Sequence, residues 1–365
     1  MGAEMNKVIN VTKPFLPPQG EYLQYVEHIW ENEWLTNNGP LLRKFEEELK
    51  DYFREPQLLV LANATLALQI ALKALDLKIG DEVITTPFSY VATTSSIVWE
   101  GLIPVFVDIN PDSFNIEPTR IEKAITKKTK AILATHVFGN PCDIDSITTI
   151  AKKFNLKVIY DAAHCFGVTF HQKPILRYGD VSVLSLHATK LFHSVEGGVI
   201  VSNNPYTIDR IKYLRNFGHD GYYRFNGIGI NAKNSEFHAA MGLVNFKYID
   251  EILATRKKQW LYYFNQLQDS DLTFQKIHAD CEYNYSYFPV VFNSEAELMK
   301  KVEILDSNQI YCRRYFYPSL NHLDYVKNQL LPISEQIASR ILCLPLYHEL
   351  LWEDQDRVCA TLKKK

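Results

Sequence analysis

The chain has 365 residues, 47% of them hydrophobic and 22% charged, with a formal net charge of -3 at pH 7. Its length accommodates about two domains of ordinary size, and its charge excludes a generally basic protein that binds nucleic acid or an anionic membrane surface. The sequence has no apolar stretch near the roughly 18 residues of a membrane helix, no signal-peptide pattern and only six scattered cysteines, which together predict an unexported protein of the reducing cytoplasm.

The first part of the chain is predicted to be an extended arm over residues 1–20, because prolines and a glycine recur between Pro14 and Gly20. Apolar residues at helical spacing then predict helices over Tyr22–Trp30 and Pro40–Phe53. The segment Trp34–Gly39 lies between these helices, and its residues Asn37, Asn38 and Gly39 have the composition of a turn.

A strand-like run at Leu58–Leu61 leads into a helix that opens with Asn63, Ala64 and Thr65. Backbone N–H groups at a helix N-terminus bind anions, and the Thr65 hydroxyl adds one more donor. This segment therefore indicates a phosphate site, although an ordinary helix cap has the same composition.

Strands and helices alternate through the middle of the chain. The predicted strands are Glu82–Thr85, Ile103–Val107, Ala131–Thr135, Val158–Tyr160, Val181–Leu186 and Val199–Ser202, and the predicted helices between them include Pro118–Ile125 and Ile144–Phe154. Such alternation predicts an α/β fold with a mostly parallel sheet that helices cover on both faces. We predict that this large domain spans residues 21–250.

Two chemically distinctive residues follow strands of this predicted sheet. Asp161 comes directly after Val158–Tyr160, and Lys190 follows Val181–Leu186. Ligands of open α/β sheets bind outside the carboxyl ends of the strands, so both side chains are expected to face one small molecule. Pyridoxal 5'-phosphate (PLP) requires such a pair, a lysine that forms a Schiff base with its aldehyde and a carboxylate that keeps its ring nitrogen protonated. Taken alone, each residue is more typical of a solvated lysine or a helix cap.

Three linked motifs surround this pair, and they read Asp161-Ala162-Ala163-His164, Ser185-Leu186-His187-Ala188-Thr189-Lys190 and Glu196-Gly197-Gly198. They resemble the DAAQ, SFHxTK and GEGG motifs of the DegT/DnrJ/EryC1/StrS sugar aminotransferase family. His164 replaces the usual glutamine, and Val195 replaces the usual first glycine. The resemblance covers nearly the full chain. It implies a fold-type I PLP-dependent large domain with a mostly parallel mixed sheet, followed by a smaller C-terminal α/β domain over residues 251–365.

The resemblance also implies roles for individual residues. Lys190 is the implied catalytic residue, which holds PLP covalently and moves a proton between substrate and cofactor. The other implied cofactor-binding residues are Asn63, Ala64, Thr65, Tyr90, Asp161, His164, Ser185 and, reaching the neighbouring subunit of a homodimer, Asn231. The implied substrate-binding residues are Asn37, Asn38, Gly39, His187, Arg313, Arg314 and Tyr317.

The segment from Tyr311 to Leu320 is dense in aromatic and guanidinium groups. Such groups can hold a nucleotide diphosphate by bidentate hydrogen bonds and stacking, although an exposed, salt-bridged strand has the same composition. Together with Lys13–Pro18 and Trp34–Pro40, this segment resembles the branch of the family that aminates dTDP-4-keto-6-deoxyglucose.

The resemblance thus implies an enzyme that moves the amino group of L-glutamate, by way of PLP and pyridoxamine 5'-phosphate, to C4 of dTDP-4-keto-6-deoxyglucose. O-antigen or lipopolysaccharide biosynthesis is the implied pathway. Amination at C3 of the 3-keto isomer is the alternative, because both regiochemistries occur in the family. Related sugar dehydratases carry histidine at the position of Lys190, so the lysine favours transamination. A non-catalytic regulator is disfavoured because both Lys190 and Asp161 are present.

Metal and dinucleotide sites are not predicted. The histidines near the expected site, His136, His164, His187 and His193, have spacings that match neither a helical pair nor a zinc motif. Gly227 and Gly229 lack the third glycine and the preceding strand of a dinucleotide fingerprint.

Overall fold

The computed structural model describes residues 8–55 and 57–363, so residues 1–7 of the predicted arm lie outside the described residues. The helices of the described residues are α1 (Gln19–Asn32), α2 (Pro40–Phe53), α3 (Ala64–Ala74), α4 (Val91–Trp99), α5 (Pro118–Ala124), α6 (Ile144–Phe154), α7 (Pro205–Leu214), α8 (Glu236–Phe246), α9 (Ile249–Leu267), α10 (Glu295–Ser307), α11 (Pro332–Arg340) and α12 (Trp352–Lys363). The strands are β1 (Ile9–Asn10), β2 (Leu58–Leu61), β3 (Glu82–Thr85), β4 (Ile103–Phe106), β5 (Thr129–Thr135), β6 (Lys157–Asp161), β7 (Thr169–Phe170), β8 (Lys173–Pro174), β9 (Val181–Ser185), β10 (Gly198–Val201), β11 (Thr273–Phe274), β12 (Cys281–Glu282), β13 (Phe288–Val291), β14 (Ile310–Tyr311) and β15 (Ile341–Leu344).

A seven-stranded mixed sheet organises the larger part of the molecule, with the strand order β2-β10-β9-β6-β5-β3-β4. Strands β9, β6, β5, β3 and β4 run parallel to one another, whereas β10 is antiparallel to both β2 and β9. The predicted mostly parallel mixed sheet is therefore confirmed. The carboxyl ends of its parallel strands all open on one edge, which is where ligands bind in such sheets.

The sheet is covered on both faces because its buried strands alternate their side chains between two apolar layers. In β6, Val158 and Tyr160 enter the layer formed with α2, α6 and α8, whereas Ile159 enters the layer formed with α3, α4 and α7. Burial of each large apolar side chain contributes about 1.5–3 kcal/mol, so this two-sided packing fixes the register of the strands.

The C-terminal part of the chain builds a second core around the antiparallel sheet β11-β13-β15. Tyr263, Phe288 and Leu342 are buried there with apolar residues of α10 and α12. Ile9 from the arm is part of the same core, because β1 pairs in parallel with β14. The described part of the arm is therefore attached to the C-terminal region.

Candidate active site

A cavity of about 650 Å³ lies at the carboxyl edge of the large sheet. Its walls come from the loops after β3, β5, β6 and β9, from the start of α3, and from the segment around Arg313. This volume is within the range of small-molecule sites. The cavity therefore collects side chains that are far apart in the sequence at the edge where a ligand is expected.

Asp161 ends β6 at the cavity and is 5% exposed. Its carboxylate accepts hydrogen bonds from the Thr93 hydroxyl at 2.7 Å and from the backbone N–H of Ala163 at 3.1 Å. Burial raises the pKa of Asp161, while these two hydrogen bonds and the charge of Lys190 oppose the rise. The result is a buried carboxylate that is held in place by neutral donors and keeps the ability to bind a cation.

Thr93 belongs to a hydroxyl network that sequence reasoning missed. Its hydroxyl lies 2.7 Å from that of Ser89, which lies 3.0 Å from the hydroxyl of Thr135 at the end of β5. No local pattern marks this network, because its members lie on three different segments. Its effect is to fix the orientation of the Asp161 carboxylate relative to the sheet.

Lys190 lies in the turn after β9, where its backbone N–H donates to the carbonyl of His187 at 2.9 Å. Its amine donates to the Tyr287 hydroxyl at 3.3 Å. Removal from water lowers the pKa of Lys190, and the negative charge of Asp161 partly offsets that effect. A lysine with a lowered pKa has a larger neutral fraction, which is the form that acts as nucleophile and base.

The start of α3 forms the predicted anion site. The Asn63 side chain caps the helix by accepting from the N–H of Leu66 at 2.9 Å. The N–H groups of Ala64 and Thr65 lie in the first turn, where they have no acceptor within the helix. All three residues line the cavity. An anion there would accept hydrogen bonds from these two N–H groups and would be stabilised by the positive end of the helix dipole.

Gly198 lets β10 pass directly behind this anion site. A Cβ at position 198 would lie 2.5 Å from the carbonyl carbon of Asn63 and 2.7 Å from the backbone nitrogen of Ala64. Real Cβ atoms do not approach backbone atoms so closely, so glycine is required here for packing. The last glycine of the GEGG-like motif therefore lets β10 pack against the anion site on the side away from the cavity.

Gly198→Ala is therefore expected to displace the backbone of the anion site at Asn63 and Ala64. We expect the free energy of unfolding of the cofactor-free protein to fall by about 1–3 kcal/mol, because overpacking forces backbone shifts. Denaturant unfolding and PLP titration would measure both stability and cofactor affinity. Gly20→Ala is the matched control, since no heavy atom lies within 4 Å of its added Cβ. Equal behaviour of the two variants would contradict the role given to Gly198.

His164, which replaces the usual glutamine, lines the cavity as a neutral imidazole. Its Nδ1 accepts the backbone N–H of Phe138 at 3.1 Å, so the proton resides on Nε2. Burial and the charge of Lys190 both lower the pKa of His164. The ring lies nearly parallel to that of Phe316 and 4.8 Å from that of Tyr287. His164 therefore offers a fixed N–H donor and an apolar ring face.

Three more of the predicted residues, Tyr90, Ser185 and His187, also line the cavity. Tyr90 precedes α4 and is 59% exposed. His187 Nδ1 lies 2.7 Å from the Thr189 hydroxyl, and its Nε2 lies 3.5 Å from a carboxylate oxygen of Glu196. Glu196 was quoted in the sequence motif but was not predicted as a site residue.

The structure does not bring the other predicted residues to the cavity. Arg314 binds Glu295 at 2.6 Å and the Ser339 carbonyl at 2.8 Å, and its guanidinium stacks 3.6 Å from the Tyr317 ring centroid. The Asn231 side chain accepts from Lys233 at 2.8 Å. The remaining residues that do not line the cavity are Asn37, Asn38 and Gly39.

The turn at Asn37–Gly39 has a structural partner within the chain. Asn37 and Asn38 adopt positive φ values of 63° and 60°. Glu236 accepts the backbone N–H groups of Leu41 and Leu42 at 2.8 and 3.0 Å, so its carboxylate caps α2 directly beside Gly39. Within one chain, this segment positions α2 against α8.

The residues of the cavity fit PLP. Asp161 is a carboxylate for the ring nitrogen, Lys190 is an amine for the aldehyde, and the start of α3 provides donors for the phosphate. Gly198 packs against Asn63 and Ala64 on the side away from the cavity, so the other side of this segment faces the cavity. This combination, at the carboxyl edge of a mostly parallel sheet, defines a PLP-dependent enzyme with the fold of the aminotransferases.

Comparison with known proteins agrees with that class and narrows it. The chain belongs to the DegT/DnrJ/EryC1/StrS aminotransferase family, whose model matches residues 18–363. It is 42% identical to dTDP-4-amino-4,6-dideoxy-D-glucose transaminase from Shigella dysenteriae, covering 99% of this chain and 100% of that protein. It is 41% identical to a protein of the same name from Escherichia coli, covering 94% and 95%.

Solved structures show the same architecture. The crystal structure of DesI in the presence of its TDP-sugar product matches with a TM-score of 0.93 at 30% identity, covering 99% of this chain and 93% of that one. Helicobacter pylori PseC, an aminotransferase involved in the biosynthesis of pseudoaminic acid, matches with a TM-score of 0.89 at 25% identity, covering 98% of each chain. The chain is a PLP-dependent aminotransferase, and the predicted fold class, enzyme class and cofactor are confirmed.

Two further observations concern other kinds of site. Across residues 8–55 and 57–363, no three His, Cys, Asp or Glu side chains form a group that could hold a metal ion. Over the same part of the chain, no helix has the length and apolar character needed to cross a membrane.

Proposed function

We propose that this enzyme transfers the amino group of L-glutamate to C4 of dTDP-4-keto-6-deoxyglucose and so produces dTDP-4-amino-4,6-dideoxyglucose. The observation that carries the proposal is the single cavity that contains Lys190, Asp161 and the anion site of α3. The substrate assignment is supported by the two relatives at 42% and 41% identity, both named for that product.

The residues divide the chemistry between them. PLP, when bound, supplies an aldehyde and an electron-accepting ring that stabilises negative charge on the carbon that loses a proton. Asp161 would hold the proton on the ring nitrogen, and the N–H groups of Ala64 and Thr65 would bind the phosphate. The neutral amine of Lys190 would remove the proton from the donor carbon, and the ammonium so formed would deliver it to the cofactor carbon that bears the nitrogen. In the second half of the reaction the neutral amine would take a proton from that cofactor carbon, and the ammonium would deliver it to the sugar carbon. His164 and Tyr90 would contact the ring.

Glutamate and the keto sugar depend on the same catalytic lysine in two successive half-reactions. Because the half-reactions are successive, each can be assayed separately. The purified protein loaded with PLP is expected to convert glutamate to 2-oxoglutarate in an amount equal to the enzyme when no sugar is present. Addition of dTDP-4-keto-6-deoxyglucose should then give continuous turnover, with the product identified by NMR.

Parallel incubation with the 3-keto isomer tests the regiochemistry. A relative from Aneurinibacillus thermoaerophilus, 30% identical, is named for a 3-amino product. Turnover with the 3-keto isomer alone would replace the C4 assignment by C3 amination. Failure of the loaded protein to release 2-oxoglutarate would overturn glutamate as the donor.

We propose further that the enzyme is a homodimer, with residues 21–250 as the large domain and residues 251–365 as the small domain. Support comes from the loop between α7 and α8, in which Tyr222 and Tyr223 are 93% and 94% exposed and Ile228 is 83% exposed. Large apolar side chains at such exposure are typical of an interface with another copy. Asn231 lies in the same loop and is the residue proposed to reach the neighbouring cofactor site.

Light scattering coupled to size exclusion would test the assembly. The expected mass is twice the 42.2 kDa of one chain. A monomer at micromolar concentration would contradict the shared site.

The proposed location in the cytoplasm is supported by the cysteines, all six of which are free thiols.

A further inference from the structure

Arg313 differs from the other charged groups that line the cavity because, within residues 8–55 and 57–363, its guanidinium has no partner in a hydrogen bond or ion pair. Its backbone is fixed by two hydrogen bonds to Cys343, at 3.3 and 2.8 Å, beside the sheet of the C-terminal region. Its side chain makes no hydrogen bond or ion pair with the described residues, and the ring centroid of Tyr315 lies 5.6 Å from its guanidinium carbon. A fixed backbone thus carries an unpaired cation at the cavity wall.

The acidic side chains that line the cavity already have partners other than Arg313. Asp161 accepts from Thr93 and Ala163, and the Glu196 carboxylate lies 3.5 Å from His187 Nε2. Among the described residues that line the cavity, Arg313 is the single guanidinium. The charge of Arg313 is therefore available to an anion that enters with the substrate.

Two tyrosine rings connect Arg313 with the catalytic lysine. Tyr287, whose hydroxyl accepts from the Lys190 amine, has its ring centroid 6.0 Å from that of Tyr315. The charges of Arg313 and Lys190 both act to lower the pKa of Tyr315, which burial raises overall. Arg313 and Lys190 therefore face the same part of the cavity, separated by the two rings.

We propose that Arg313 binds the side-chain carboxylate of a dicarboxylic amino donor and so selects glutamate over its neutral isostere glutamine. The inference rests on the proposed function, in which glutamate reacts at Lys190. In glutamate the side-chain carboxylate is three bonds beyond the carbon that reacts. The rings of Tyr287 and Tyr315 separate the Arg313 guanidinium from the Lys190 amine. This separation suits the side-chain carboxylate better than the α-carboxylate, because the α-carboxylate is bonded directly to the reacting carbon.

The sugar diphosphate is the competing anion for Arg313. Its nearest phosphorus is five bonds from C4, and its two negative charges call for several donors, whereas one guanidinium matches one carboxylate in a bidentate pair. The neighbouring Arg314 does not add a second donor, because Glu295 and the Ser339 carbonyl occupy its guanidinium. The donor carboxylate is therefore the favoured ligand.

The test compares Arg313→Gln with the wild-type enzyme, both loaded with PLP, in the two half-reactions. We expect kcat/KM for glutamate to fall about 100-fold, as for loss of one partner of a charged pair, while kcat/KM for glutamine changes less than about 3-fold. The sugar half-reaction should keep its KM. Arg313→Lys, which retains the charge without the bidentate geometry, should lie between the wild type and Arg313→Gln.

A binding measurement gives a readout independent of turnover. Calorimetric titration with glutarate, which has two carboxylates, should show a loss of affinity in Arg313→Gln, whereas butyrate, which has one, should bind both proteins equally. Arg54→Gln, which removes an exposed guanidinium outside the cavity, is the matched control. The melting temperature of Arg313→Gln should equal that of the wild type, because its guanidinium makes no internal bond.

The outcomes separate the inference from the proposed function. A raised KM for the sugar with unchanged glutamate kinetics would assign Arg313 to the diphosphate and overturn the inference. Unchanged kinetics with both substrates would also overturn it. A wild-type enzyme that does not deaminate glutamate would instead overturn the proposed donor, whatever the behaviour of the variant.

Discussion

Lys190→Ala is expected to lower the rate of transamination by at least about 10⁴-fold, because the substitution removes both the covalent attachment of PLP and the proton carrier. The variant should fold, since the Lys190 amine makes one hydrogen bond, to Tyr287. Release of 2-oxoglutarate from glutamate measures the loss. Borohydride reduction followed by mass spectrometry should find the cofactor joined to the wild-type chain and not to the variant.

Lys173→Ala is the control for removal of a lysine, because Lys173 is exposed in β8 and does not line the cavity. It should retain the wild-type rate and the covalent cofactor. Wild-type turnover by Lys190→Ala, or a reduced cofactor attached elsewhere, would disprove the assignment of the catalytic lysine.

The lowered pKa of Lys190 also has a consequence for the stability of the cofactor-free protein. Its ordinary value is 10.5, and burial places the pKa in the folded chain below that. Between the two pKa values the unfolded chain binds a proton that the folded chain does not, so the free energy of unfolding rises with pH. Lys190→Met has no such group. Relative to the wild type it should be most stabilised at pH values below the folded-state pKa of Lys190, with a difference that shrinks as pH rises toward 10.5.

The sequence predicted those parts of the fold that local pattern determines. Helix α2 and helix α6 begin and end as predicted, because apolar residues recur at helical spacing between clear boundaries. Where the boundary signal was weak the prediction was wrong. The first helix was predicted over Tyr22–Trp30, but α1 spans Gln19–Asn32, so both of its bounds were wrong.

Elements that depend on distant partners were not predicted. Strand β15 is a four-residue apolar run that follows α11 without a turn signal, and it is recognisable only through its pairing with β13. The two-residue strand β1 exists because β14 lies beside it. Such short segments have no period of their own, so tertiary contacts determine their structure.

The same distinction applies to the site. Asp161 and Lys190 could be located because each follows a strand whose carboxyl end faces the ligand edge. Thr93 and Tyr287 could not, because the contacts that matter join residues 68 and 97 positions apart in the sequence. Arg313 and Arg314 are adjacent and identical in type, yet one lines the cavity and the other binds Glu295. Composition alone does not distinguish them.

Asp161→Asn is the second substitution for which we expect a large effect. The amide oxygen can still accept the N–H of Ala163, and the amide NH2 can donate to the Thr93 hydroxyl, which can accept as well as donate, so the fold should be retained. It cannot balance the charge of a protonated ring nitrogen, which removes the electron-accepting character that stabilises a carbanion. We expect turnover to fall about 10³-fold and PLP affinity to fall about 10-fold, measured by steady-state assay and cofactor titration. Asp269→Asn, at an exposed position, is the control.

The pH dependence of Asp161→Asn distinguishes this role from simple loss of packing. The negative charge of Asp161 opposes the lowering of the pKa of Lys190 that burial causes. Removal of that charge should therefore lower the pKa of Lys190 further, which extends its neutral form to more acidic pH. In the cofactor-free protein, ¹⁵N-labelled lysine followed by NMR should show the Lys190 titration at lower pH in the variant than in the wild type. An unchanged titration, together with normal turnover, would mean that the Asp161 carboxylate acts neither on the lysine nor on the ring nitrogen.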